Sequence, residues 1–407
     1  RGGMRRAALA LPALLALCAL SCAPRPRRVD EVAFWQYGPP EVVQPLVARF
    51  EAAHPGLRVR LRRLPRAGGL DTLRAALAAG HPPDLCQVAG DDMPALLASG
   101  ALADWSAGVA DQRDSLAGWE LCRVGDALYG LPWLLDTRAL FYDKALFARA
   151  GLDSSRAPDT WAGLYRAAAR IQRLGRGVHG YGIPVGGPEG VTRFLPFLWS
   201  AGGEVLSERA DSVRLDSPEE AQALEFYRSL RAVGTLAPAD SLEREFAAGR
   251  LGLVLGGGET LARLERAAGA PRWGVALVPA AEADSARTSV ASGEVLVSFN
   301  ASRRKEEGLR LARFLARPEN ALAVALAAHC APATAGADTG AWELAHPRAR
   351  VLLAQLASAR FPPGVAAWPD MATVLEDELE QVLDDRAGVT RAITDARVRL
   401  AALVGRP

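Results

Sequence analysis

The chain has 407 residues, half of them apolar, with 48 Lys and Arg against 46 Asp and Glu and a formal net charge of +2. That length allows about two domains at ~150 residues each, and the apolar half is enough for substantial cores. Arg residues are interspersed with Asp and Glu along helical faces and no basic tract occurs, which argues against a nucleic-acid partner. With five His residues, none paired at metal-ligand spacing, and no Walker loop, GxSxG or HExxH, neither a metal nor a cofactor is expected.

Met4 is the first plausible initiator, after Arg1, Gly2 and Gly3. Arg5 and Arg6 then supply a positive n-region and residues 7–20 an Ala- and Leu-rich apolar run, the pattern of an export signal. The run falls short of the ~20 residues that cross a hydrocarbon core, and the basic, proline-broken residues 23–28 cannot extend it. It ends in Ala19-Leu20-Ser21-Cys22, which resembles the lipobox cut by lipoprotein signal peptidase, although Leu sits one place nearer the cysteine than is usual. The resemblance implies a lipidated Cys22, whose diacylglyceryl group and N-acyl chain tether the protein to a membrane where one chain alone would bind only marginally. Plain cleavage is the alternative, and either way the protein is expected outside the cytoplasm, in the periplasm or at the cell surface. Cys86, Cys122 and Cys330 follow; an odd count without CxxC gives no disulfide framework. They read as buried thiols acting as small hydrophobes, with a Cys86–Cys122 bridge the alternative in an oxidising compartment.

Val32 to Trp35 reads as a buried strand, ended by Gly38-Pro39-Pro40. Glu41 opens a helix with Val43, Leu46, Val47 and Phe50 on one face, stopped by Pro55-Gly56. Leu57, Val59 and Leu61 alternate with arginines as a strand with one wet face, and Leu70, Leu73 and Leu77 mark a second helix before a third short strand at 84–88. Strand, helix, strand, helix, strand predicts parallel pairing with helices on the faces, and ligands then gather outside the carboxyl ends of the strands. Trp35, Gln36 and the pair Asp91-Asp92 lie at or just past those ends. Residues 129–142 read as an extended ribbon interrupted by Asp136-Thr137-Arg138. Helices are predicted over 160–174, with Asp159 or Thr160 as N-cap, over 190–201, and after Ser217, with Pro218 at N1 and Glu219-Glu220 in the first turn. Strands follow at 251–255, closed by Gly256-Gly257-Gly258, at 273–279 and at 295–299, then helices over 305–316, 319–328, 347–359 and 371–385.

Several segments together resemble one family, the extracellular solute-binding proteins of sugar-type ABC transporters, of which maltose-binding protein is the familiar member. They are Pro83-Asp84-Leu85 running to Asp91-Asp92 and residues 96–102; Tyr129-Gly130-Leu131-Pro132-Trp133 continued by residues 140–144; Pro158-Asp159-Thr160-Trp161; Trp199-Ser200-Ala201-Gly202-Gly203-Glu204; residues 246–250 leading to Gly256-Gly257-Gly258; and residues 304–306 with 314–319. The ordered set covers almost the whole mature chain. The resemblance implies an α/β, two-lobed periplasmic-binding-protein-like fold, each lobe a mixed, mostly parallel sheet flanked by helices, closing on its ligand by a hinge. Mapped onto this chain it gives a signal peptide with lipobox at 1–22, a linker at 23–28, a first lobe of 29–136 plus 295–337, and a second of 137–294 plus 338–407, hinged near Asp136 and Val295. It implies a monomer that hands a small-molecule solute, a mono- or oligosaccharide, to permease subunits.

A sugar presents a rim of hydroxyls and C–H faces, so its site needs aromatic plates and planar polar side chains. On the resemblance the candidates in the first lobe are Trp35, Gln36, Glu41, Asp91 in register with a sugar-binding aspartate, and Asp92. Trp133, Asp136 and Arg138 lie at the crossing, and Trp199, Gly257, Gly258, Glu259, Trp368 and Asp370 in the second lobe. Each has a plainer reading: Trp35, Trp133 and Trp199 as core, Asp91 and Asp92 as helix N-caps before Pro94, and Asp136 with Arg138 as a structural pair. Glu259 stands where the family commonly has an aromatic, which removes one plate and adds a carboxylate, favouring a more polar or cationic ligand. Sugar capture is therefore the leading expectation. A polyamine, an amino sugar or another polar solute is the runner-up, and a glycosidase or a surface sensor a weaker rival.

Overall fold

The computed structural model describes residues 30–65, 68–187, 189–266, 272–334, 340–345 and 347–405; the export-type segment, Cys22, the basic linker and the 337/338 boundary lie outside the described residues. Strand β1 (Asp30–Gln36) and β2 (Leu57–Arg63) pair in parallel from Asp30 opposite Leu57 to Gln36 opposite Arg63. Helix α1 (Pro40–Ala53) joins them and buries Val43, Leu46, Val47 and Phe50. Helix α2 (Gly69–Ala78) leads to β3 (Leu85–Ala89), parallel to β1. Two long-range strands complete this sheet. They are β6 (Leu131–Thr137), which follows the small hairpin of β4 (Arg123–Val124) and β5 (Ala127–Leu128), and β12 (Ser289–Val297). The order is β13-β6-β12-β3-β1-β2, where β13 is Ala331–Pro332, and β14 (Ala359–Arg360) pairs off β12.

The second sheet runs β11-β7-β10-β8-β9, from β7 (Ala139–Asp143), β8 (His179–Pro184), β9 (Gly234–Ala237), β10 (Leu251–Gly256) and β11 (Trp273–Ala276). It is mixed: β10 pairs in parallel with β8 and antiparallel with β7. Only Arg138 separates β6 from β7, so the chain passes from one sheet to the other within a single residue. The polar triplet inside the ribbon is that crossing.

The strand expected at 295–299 begins earlier, at Ser289. Its first half, Ser289-Val290-Ala291-Ser292-Gly293-Glu294, carries no apolar alternation. It is extended because Ala291 to Glu294 pair with Thr137 to Leu134 and Ser289 with Ala359. Tertiary pairing here overrides a weak local preference. The helix expected from 371 likewise starts three residues earlier, at Trp368, with Pro369 in its first turn, and a further helix over Val389–Ala401 follows it.

Each sheet has its own core. The first gathers Phe34, Phe50, Trp133 and Leu315 under α1 and two later helices, α10 (Lys305–Leu315) and α11 (Pro318–Ala328). Cys86 and Cys122 are free, buried thiols whose pKa values burial pushes up, and no bridge joins them. The second core is covered by α5 (Trp161–Gln172), α6 (Glu189–Ser200), α7 (Pro218–Ser229), α14 (Trp368–Leu383) and α15 (Val389–Ala401). Thr160 caps α5 through the Gly163 amide at 3.2 Å, and Ser217 with Glu220 forms a capping box on α7. Trp161 stacks on Phe226 with ring centroids 4.6 Å apart and packs against Phe197. Trp161→Ala should therefore lower stability by roughly 3–5 kcal/mol, measured as a shift in the urea midpoint; a loss below about 1 kcal/mol would show that this stack does not hold the second core together.

Candidate ligand cleft

At the crossing the backbone is clamped first. The Thr137 hydroxyl donates to the Val290 carbonyl at 2.7 Å, and the Ser289 hydroxyl to the Arg138 carbonyl at 2.6 Å, tying β6 to β12. The Arg138 guanidinium then donates to Asp136 Oδ2 at 3.0 Å and to Glu189 Oε1 at 3.2 Å. Asp136 Oδ1 accepts the Gly258 amide at 3.0 Å. Arg193 extends the chain, its Nε donating to Glu189 Oε2 at 3.1 Å and its Nη2 to Glu243 Oε1 at 3.4 Å, where Thr260 Oγ1 also donates at 2.7 Å. Burial alone would raise the Glu189 carboxyl, but the two arginines overcome it and hold it at about 2. Glycine is required at the loop opposite: a Cβ on Gly257 would lie 2.6 Å from Asp136 Oδ2, and one on Gly258 2.1 Å from the His329 carbonyl oxygen.

Beside this network a cavity of about 380 Å³ opens between the sheets. Its first-lobe wall is the turn Gly90–Asp92 at the carboxyl end of β3, presenting Asp91 and Asp92. Its second-lobe wall is the start of α6, with Val191 and Thr192, and one face of α14, with Trp368, Ala372 and Glu376. Asp91 is reached by solvent yet crowded by both walls; that crowding raises its pKa, against Arg138, which lowers it. Asp92 is raised too, by burial and then by Asp91. Glu376 is buried, and its Oε2 accepts the Val191 amide at 2.9 Å. Desolvation raises its pKa to about 7, against the backbone donors that favour the carboxylate. This wall can hold a solute that donates hydrogen bonds to its carboxylates and stacks on an indole.

A family model described as bacterial extracellular solute-binding protein matches residues 38–322. The chain belongs to that family. It is 22% identical over 373 residues to a putative binding protein of Brucella abortus, covering 87% of this chain and 88% of the relative. It is 27% identical to an uncharacterized lipoprotein of Streptomyces antibioticus, over 79% of this chain and 74% of the relative. Among solved structures, the cyclic α-maltosyl-1,6-maltose binding protein of Arthrobacter globiformis superposes with a TM-score of 0.81 at 23% identity, covering 92% of this chain and 99% of that one.

The site residues expected of this solute-binding protein divide into three groups. Asp91, Asp92 and Trp368 meet at the cavity. Asp92, at the N-cap of the short helix α3 (Met93–Ala98), makes no side-chain capping bond, so the helix does not explain it. Asp136, Arg138, Gly257 and Gly258 come together in the crossing network, where the plainer reading of Asp136 and Arg138 as a pair is realised.

The remaining residues sit elsewhere. Trp35 packs in the first lobe with the Arg62 guanidinium 4.3 Å over its ring, so that face is occupied. Gln36 is fully buried, its amide closed off behind Gly38. Glu41 is exposed in the first turn of α1. Trp133 is a core residue, its indole N–H donating to the Leu315 carbonyl at 3.2 Å. Trp199 lines a different hollow in the second lobe, of about 720 Å³, under the guanidinium of Arg360 at 4.9 Å. Glu259 points to solvent near Arg263, at the start of α9 (Gly258–Arg266), and Asp370 is exposed on α14. These residues hold the expected strand-end and motif positions but do not line the cavity.

Glu189, Arg193 and Glu376 are absent from the expected set. Glu376 had a signal, because Trp368, Ala372 and Glu376 recur at four-residue spacing and so share one helix face. A glutamate on the buried face of a helix needs an explanation. Its raised pKa also fixes a pH dependence. The folded chain holds the proton more tightly than the unfolded chain, so the stabilisation is complete below about 4.5 and is lost as pH rises through about 7. Thermal melts should show the ligand-free protein losing up to roughly 2–3 kcal/mol relative to Glu376→Gln between about pH 4.5 and pH 7.5; parallel pH profiles for the two would contradict the assignment.

Proposed function

We propose that this solute-binding protein captures a carbohydrate in the cleft between its lobes and delivers it to the permease of an ABC transporter, held at the extracytoplasmic face of a membrane by a lipidated Cys22. The observation that carries the reading is the cavity wall itself. One indole plate, Trp368, stands among carboxylates and the hydroxyls of Thr192 and Thr373, the combination that a ring with C–H faces and a hydroxyl rim needs. A cavity of about 380 Å³ suits a mono- or disaccharide. The family assignment supports capture rather than turnover, and the Arthrobacter protein of like fold binds a cyclic maltosyl-maltose. The lipoprotein relative supports the tether.

In this reading the lobes are 29–136 plus 295–337 and 137–294 plus 338–407, and the protein acts as a monomer. Placement of β13 in the first sheet, and of α14 and α15 on the second core, supports that division, while residues 289–294 and 359–360 pair within the first sheet. The paired passage of β6 and β12 between the sheets supports a hinge there.

A thermal-shift screen of the mature protein against mono- and oligosaccharides, polyamines and amino acids tests capture. A sugar at a hundred times its Kd stabilises by about 2.7 kcal/mol, which for a chain of this size raises Tm by roughly 3–4 °C. A response to polyamines or amino acids and to no sugar would contradict the carbohydrate reading. Mass spectrometry of membrane-extracted protein should find an N-terminal peptide that begins at acylated Cys22; a soluble product starting elsewhere would remove the tether and leave capture untouched.

A further inference from the structure

Residues 160–188 include no Asp or Glu, yet they carry Arg166, Arg170, Arg173 and Arg176. The first three recur at i, i+4 and i+7 along α5 and so share one stripe, turned away from the face that Trp161, Leu164, Ala168 and Ile171 bury in the second core. Arg176 stands beyond the helix on a tight turn, closed by the Val178 amide on the Gly175 carbonyl at 3.3 Å, with Gly175 and Gly177 at positive φ. Arg170 also donates to the Gly151 carbonyl at 3.3 Å, which brings the end of a short helix, α4 (Lys144–Arg149), and its exposed Arg149 beside the stripe. All five residues are exposed, and none forms an ion pair among the described residues. Asp143 and Asp153, which flank α4, are engaged by Arg272 and by Ser155. Other outer helices are built differently: Arg313 of α10 meets Asp111, and Arg391 and Arg399 of α15 meet Asp395 and Asp377. The helix dipole favours cations at a C-terminal turn, which accounts for Arg149, Arg170 and Arg173. It leaves Arg166, within α5, and Arg176, outside any helix, unexplained.

Resting on the lipid tether proposed above, we infer that this stripe is a docking face for a membrane, seating the second lobe on anionic phospholipid headgroups. A guanidinium stays charged and offers donors in a planar fork that matches a phosphate. Separate phosphates in a plane suit cations spread along about 10 Å of helix and the turn beyond it, whereas one small anion would need them converged in a pocket. The attraction of each arginine to an anionic bilayer is modest and falls off within a Debye length. A chain already anchored at that bilayer meets the phosphates at high effective concentration, so a modest attraction suffices. Eight peptide units separate Cys22 from Asp30, a reach of at most about 28 Å, and the anchor therefore permits the first lobe to stand off while the second settles. An acyl anchor at one lobe and an electrostatic contact at the other restrict tumbling of the cleft above the membrane.

Vesicle flotation of the mature chain from Ala23, made without the acyl groups, decides this. The protein should float at low salt with vesicles of mixed phosphatidylglycerol and phosphatidylcholine, stay behind with phosphatidylcholine alone, and be released as NaCl is raised. The joint variant R166Q/R170Q/R173Q/R176Q should weaken partition onto the anionic vesicles by about tenfold or more, and R25Q/R27Q/R28Q in the leash should weaken it less. The double variant R166Q/R176Q, free of any helix-end effect, should shift partition in the same direction and serves if the fourfold variant folds poorly. Equal partition of the stripe variants and the native chain, or a loss confined to the leash variant, would overturn the inference and leave the acyl anchor standing. Retention on heparin through the same arginines, with no vesicle binding, would assign the stripe to another polyanion and overturn it as well. Failure of the anchor is read separately, as the absence of an acylated Cys22 peptide, and the flotation of the unacylated chain does not depend on it.

Discussion

Arg138 lies where the chain leaves one sheet for the other, and its guanidinium joins Asp136 on the first side to Glu189 on the second. Taking these charges out of water is costly, and the arrangement stands only because each carboxylate is met by further donors: the Gly258 amide on Asp136 and Arg193 on Glu189. Its consequence is positional. Glu189 is the first residue of α6, so its charge lies at the positive end of that helix dipole. Holding Glu189 sets where α6 begins, and the amide of Val191, two residues on, then meets Glu376 of α14. The second-lobe wall of the cavity is thus registered against the crossing by a continuous run of hydrogen bonds.

A contrast in charge separates this interior from the cleft. Inside, Asp136, Glu189 and Glu243 each face an arginine, and the network is close to neutral. In the cavity, Asp91 and Asp92 stand side by side, while the Glu376 carboxyl is turned onto the backbone at the start of α6. Burial raises the carboxyls of Asp91, Asp92 and Glu376, as it raises that of Asp136 inside, but Asp91 and Asp92 have no arginine bonded to them among the described residues. Residues kept in an environment that opposes their charge are what a binding site is expected to contain.

Much of the fold was legible because its elements carry local signals. The face formed by Val43, Leu46, Val47 and Phe50, the Ser217–Glu220 capping box and the alternation of β2 each dictate an element whatever surrounds them. The first six residues of β12 were not legible, since Ser-Val-Ala-Ser-Gly-Glu becomes a strand only when β6 lies beside it. The site was legible in part for the same reason. Asp91 and Asp92 follow a strand end, where open α/β sheets bind ligands, and Trp368 was among the second-lobe candidates that the family resemblance supplied. Trp35, Gln36 and Trp133 occupy strand positions of the right kind but face inward, and Trp199 faces another hollow. Glu376 lies in the sequence among other acidic residues, Asp377, Glu378 and Glu380, and only the packing of α14 against α6 separates it from them.

The proposed seat of the solute is the space between the turn carrying Asp91 and Asp92 and the face of α14 carrying Trp368 and Glu376. A crystal structure of the mature protein with its tightest-binding solute tests it most directly. Ligand density should lie against the Trp368 ring, with a polar atom of the solute within hydrogen-bond distance of Asp91 or Asp92. Density in the hollow beside Trp199 and Arg360, with Asp91 and Asp92 uncontacted, would contradict it.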